Sequence, residues 1–100
     1  MEDCNSIEGF NKLDDKSKKS LVEWCKKTFL KSKKKNNSFS SYELKHLFEK
    51  DEDGFYVTNG QFKGAMKEAG FDTYNTTRIN WYFNIDHNSL KVITKKIYNY

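Results

Sequence analysis

Six lysines stand within ten residues of this chain: Lys26, Lys27, Lys31, Lys33, Lys34 and Lys35. Cations at that density suit phosphate backbones, as salt-sensitive anchors that ignore sequence. Lys63, Lys67, Arg78 and Lys95 extend the cationic set, and Asn59 or Gln61 beside Lys63 and Lys67 would meet base edges. Tyr74, Tyr82, Tyr98 and Tyr100 are candidate platforms for unpaired bases. Tyr82 is the best of them, because strand alternation points it away from the Trp81 and Phe83 face. The alternative partner is a protein. Glu49, Asp51, Glu52 and Asp53 would then mimic phosphates, with Tyr82 as an aromatic anchor.

Other chemistry has less support. No serine, cysteine or histidine arrangement suggests a nucleophile with its base. The acids at 49–53 are adjacent in sequence, not paired across a cleft, and the glycines form no phosphate-cradling loop. The chain is not expected to be an enzyme. Cys4, Cys25, His46 and His87 lack metal-ligand spacing, so no metal and no cofactor is expected. Cys25 reads as a small hydrophobe on a helix face. Residues 49–54 resemble the start of an EF-hand, with Glu49, Asp51, Asp53 and Gly54 at loop positions 1, 3, 5 and 6. The twelfth position is Gly60, which has no side-chain oxygen, and Gln61 after it is a neutral amide. A degenerate calcium loop is therefore only the third alternative, and 51–54 reads as a solvated turn.

The chain has 100 residues and a net charge of +4, unevenly spread. Residues 1–15 hold five acids and one lysine, whereas residues 16–35 hold nine lysines and one glutamate. Residues 36–72 are net acidic and residues 73–100 net basic. Arg78 is the only arginine, and with ten asparagines this suggests A/T-rich coding, so part of the lysine content is compositional. One domain is expected at this length. There is no run apolar enough to span a membrane, and Met1–Cys4 reads as no signal peptide, so a cytoplasmic location is expected.

The elements follow from periodicity and caps. Residues 1–12 read as loosely held, with Ile7, Phe10 and Leu13 able to dock as a short turn. Residues 14–35 read as one basic helix, with Leu21, Trp24, Cys25, Thr28 and Phe29 at helical spacing. Ser40-x-x-Glu43 and Thr58-x-x-Gln61 are capping boxes opening two further helices. Gly70 before Phe71 fits a left-handed C-terminal cap. Residues 55–57 and 78–85 read as antiparallel strands, the second alternating Ile79, Trp81, Phe83 and Ile85 inward. Residues 89–98 read as a helix capped by Asn88 or Ser89, with a strand as the competing reading. Trp24, Phe48, Phe62, Met66, Trp81 and Phe83 are expected to share one core. On the outer face of the third helix, Gly60 and Gly64 suit either a recognition surface or close packing under the N-terminal helix.

The motifs Ser41-Tyr42-x-Leu44-Lys45-His46, Tyr56-Val57-Thr58-Asn59-Gly60-x-Phe62, Ala69-Gly70-Phe71 and Asn80-x-x-Phe83-Asn84-Ile85 occur in this order. Across roughly residues 40–90 they resemble a group of small bacterial proteins carried on plasmids, phages and integrative elements. The resemblance implies a small α+β, winged-helix-like module, placed here over residues 40–98; the whole chain is expected to form one α+β domain of three or four helices with a two- or three-stranded antiparallel sheet. It implies no catalytic residues. It points first to an accessory protein that binds DNA or RNA, and second to an inhibitor of a host defence nuclease complex, in the manner of an anti-CRISPR.

Overall fold

The computed structural model describes residues 3–99. Among them, a 3-10 helix (Ile7–Lys12) precedes α1 (Asp15–Thr28), β1 (Lys31–Asn36), α2 (Ser41–Lys50), α3 (Asn59–Glu68), β2 (Thr73–Tyr74), β3 (Tyr82–Ile85) and α4 (His87–Tyr98). The three strands form one antiparallel sheet in the order β1-β3-β2. This is a small α+β domain. Among the described residues, no helix is long and apolar enough to cross a membrane.

The helix ends follow the local chemistry. In α2, Glu43 Oε1 accepts from the Ser40 N–H at 2.9 Å. In α3, the Thr58 hydroxyl accepts from the Gln61 N–H, and Gln61 Oε1 accepts from the Thr58 N–H. Gly70 closes α3 at φ +91°, with its N–H on the Lys67 carbonyl and that of Phe71 on the Met66 carbonyl. That is a Schellman motif, and its left-handed residue needs glycine. The helix reading of residues 89–98 also holds, but the cap is Asp86, whose carboxylate accepts from the Ser89 N–H.

One core joins the layers. Trp24 meets Phe48, Phe62 and Phe29 edge to face at 5.2, 6.5 and 5.4 Å. Phe62, Met66 and Phe83 are fully buried, and Trp81 is half-buried against the same cluster. Cys25 is in the core too, and burial pushes its thiol upward, so it behaves as the hydrophobe expected.

Four expectations need correction. The basic helix does not run to residue 35. It stops at Thr28, because Phe29 turns extended to bury its ring between Trp24 and Phe71. Leu30 then bonds to the α4 cap, donating to Ser89 Oγ and accepting from the Asp86 N–H at 2.8 Å. That contact starts β1. Residues 55–57 form no strand: the Val57 N–H donates to Glu49 Oε2 and its carbonyl accepts from Lys45, so side chains take the ladder bonds. The alternating strand is shorter than expected, and Ile79 faces solvent. The N-terminal segment is not loose over Ile7–Lys12, which packs along α3.

Candidate nucleic-acid interface

The sheet puts lysines on a bulge. Lys31 pairs with Ile85 and Asn36 with Phe83, so Ser32–Lys35 stand opposite the single residue Asn84. A bulge this large loops backbone out of the ladder and re-aims its side chains. Two buried asparagines hold it. Asn84 Oδ1 accepts from the Asp72 N–H and its Nδ2 donates to the Ser32 carbonyl, both at 2.8 Å. Asn36 Nδ2 donates to the Ile85 carbonyl at 3.0 Å. Within the loop, Ser32 Oγ accepts from the Lys34 N–H.

Lys31, Lys33 and Lys34 are exposed on this edge, while Lys35 lies half-buried with its ammonium 5.1 Å from the Tyr82 ring. Lysine on an edge strand also guards against strand pairing between molecules. Lys26 joins Lys31 at the rim of a hollow with Phe29, Leu30 and Phe71. Lys27 does not. It lines a different hollow with Glu52, Asp53 and Lys96. Lys95 is on α4 with Lys91 and His87, beside Phe39. Lys67 lies near Lys18, Lys19, Glu8 and Glu68. Arg78 is exposed in the β2–β3 loop. Of the expected cations, Lys26 and Lys31 line one hollow, and Lys34 stands with Lys33 on the β1 bulge that follows Lys31.

Lys63 is not a surface contact. It is 3% exposed, donates to the Ile79 carbonyl at 2.8 Å and lies 4.7 Å from the Trp81 ring. Burial lowers its pKa from the usual lysine range, with Asp3 opposing. Asn59 is also internal, bonded to Ser41, Asn5, Asn80 and the Ile79 carbonyl. Gln61 is spent in the capping box. The glycine face of α3 packs internally, but its cover is the 3-10 helix and not the long helix. A Cβ on Gly60 would overlap the Ser6 carbonyl, and one on Gly64 would overlap Phe10. Cys4 closes the end of α3, its carbonyl accepting from the Gly60 N–H at 2.9 Å.

The acids divide. Glu49 is committed inside, accepting from Lys45 Nζ and the Val57 N–H, with His46 Nδ1 3.1 Å from its other oxygen. Asp51 accepts from Trp24 Nε1 at 2.8 Å and pairs with Lys96 at 3.1 Å. Glu52 and Asp53 alone stay exposed, so the four acids form no common phosphate mimic. Among the described residues, no three histidine, cysteine or acidic side chains converge to hold a metal.

Of the expected ring platforms, Tyr74 is half-buried in β2, Tyr82 lies under Lys35, Tyr98 meets Lys50 at 4.7 Å, and Tyr100 is outside the described residues. Among the described residues, the open tyrosines are two that sequence reasoning passed over, Tyr42 and Tyr56. Tyr42 was legible in principle, because it falls on the outer side of α2 when Leu44, Leu47 and Phe48 face inward. Compared with protein-family models, curated proteins and solved structures, the chain matches none.

Proposed function

We propose that this chain is a small nucleic-acid-binding module of winged-helix kind, an accessory protein of a mobile genetic element. The element order supports the fold reading. A helix, an edge strand, two helices and a hairpin follow one another, and the last strand lies between the first two. Such a module carries a helix pair, α2 and α3, beside a two-stranded wing, β2 and β3.

The observation that carries the functional reading is the β1 bulge. Among the described residues, neither Lys33 nor Lys34 has a carboxylate partner, and two buried asparagines spend their hydrogen bonds keeping this loop out of the ladder. Free cations on a fixed loop meet phosphates at little ordering cost. Contact through α3 in a major groove is disfavoured, since the Ser6–Phe10 stretch covers that helix. Binding is therefore electrostatic and weakly sequence-dependent.

The test is fluorescence anisotropy with labelled oligonucleotides of mixed sequence over a range of salt. The expected result is binding at low salt, with log affinity falling linearly against log salt. A folded protein that binds no oligonucleotide at low salt would refute the reading.

A further inference from the structure

Three of the most open large apolar side chains stand at the start of α2, between α2 and α3, and in the β2–β3 loop. Tyr56 is 75% exposed, Ile79 63% and Tyr42 50%. Both tyrosine rings share one cation. Lys45 Nζ lies 5.0 Å from the Tyr56 ring and 5.6 Å from the Tyr42 ring. Lys45 is buried and fixed, donating to Glu49 Oε2 at 3.0 Å and to the Val57 carbonyl at 3.1 Å. Tyr42 also meets His46 edge to face at 4.6 Å. The rings are thus held from beneath and open above.

The β2–β3 loop is tied to the start of α2 through the Ile79 backbone. Asn59 Nδ2 donates to the Ile79 carbonyl, while Asn59 Oδ1 accepts from Ser41 Oγ, next to Tyr42. The loop also carries Arg78, which is exposed. The N-terminal ends of α2 and α3 meet here too, and their dipoles favour anions.

We propose that Tyr42 and Tyr56 stack unpaired bases, with Arg78 on the adjoining phosphate, so that the chain prefers single-stranded nucleic acid to duplex. This rests on the nucleic-acid reading above. Stacking needs exposed rings that are already ordered, and these are. A duplex keeps its base faces covered, and α3, which would have to enter a groove, is itself covered by the N-terminal segment. The Glu49 carboxylate, paired with Lys45, leaves the surface beneath the rings balanced in charge. That suits a neutral base, with the free cation at the edge for the backbone.

The experiment compares a mixed-sequence single strand with its own duplex at one low salt concentration. Wild type, Tyr42→Ala, Tyr56→Ala and Tyr56→Phe are titrated, each after its thermal melt has shown that it folds. The single strand is expected to bind about tenfold tighter than the duplex. Each alanine variant is expected to weaken single-strand binding about five- to tenfold and to leave duplex binding unchanged, while Tyr56→Phe keeps the wild-type preference. Equal affinity for both probes, with silent alanine variants, overturns the stacking proposal and leaves the electrostatic reading standing. Failure of both probes to bind overturns both.

Discussion

Gly64 lies flush against Phe10. A Cβ at residue 64 would stand 3.0 Å from the Phe10 ring carbon Cγ and 3.1 Å from the Ile7 carbonyl oxygen. Gly60 is tighter, because there the obstacle is the Ser6 backbone. Alanine is ordinarily the better helix residue, by about 1 kcal/mol. Here overpacking, at about 1–3 kcal/mol, outweighs it. With a backbone atom as the obstacle the cost falls in the upper part of that range, so Gly60→Ala is expected to lose up to about 2 kcal/mol net in urea unfolding. Faster hydrogen exchange of the residue-60 amide should follow, as the Cys4 carbonyl moves away. A neutral or stabilising Gly60→Ala would show that the segment does not depend on this fit.

Asn84 is the pin of the β1 bulge. Asn84→Ala strips partners from the Asp72 N–H and the Ser32 carbonyl together. A buried group left unsatisfied costs about 1–3 kcal/mol. We expect a loss in that range, with amide exchange rising along Lys31–Asn36 before the helices respond. Protection unchanged over β1 would mean that something else holds the bulge.

The core makes the plainest demand. Phe62 and Phe83 are both fully buried. Truncating either to alanine should cost about 3–5 kcal/mol and unfold much of the population. Losses below about 1 kcal/mol at both sites would contradict the packing described.

Asp51 gives the fold an acid limb. Burial alone would raise its carboxyl, but the Trp24 indole, the Glu52 N–H and Lys96 outweigh that and lower it. A carboxyl lowered on folding contributes stability above its unfolded value, and loses it as pH falls through the folded one. The unfolded value is near the ordinary aspartate range, about 3.9. The stability gap between wild type and Asp51→Asn should therefore be full above about pH 4 and close as pH falls further. A gap that stays constant through this window would show that the carboxylate charge has no role.

What the sequence disclosed was local. Both capping boxes and the Gly70 cap were legible because their partners lie within a few residues. β1 was not. Lys31–Asn36 has no apolar alternation, and its pairing depends on Leu30 meeting Asp86 and on Asn84, some fifty residues away. The same distance hid part of the site. Lys63 looks exposed on a helix with a polar outer face, until Ser6–Phe10 covers the glycines beside it. Likewise, Lys26 and Lys27 are indistinguishable in sequence, yet they line hollows of different charge.

That distinction provides the most direct measurement. The salt dependence of single-strand affinity is compared for wild type, for a variant carrying Lys26→Gln, Lys31→Gln, Lys33→Gln and Lys34→Gln together, and for Lys27→Gln alone. A marked loss of low-salt affinity is expected in the fourfold variant. Its slope of log affinity against log salt should fall by up to about 3, at ~0.7 for each phosphate no longer neutralised. Lys27→Gln, facing Glu52 and Asp53, should remain near wild type. A fourfold variant with unchanged affinity and slope would contradict the claim that this face binds nucleic acid.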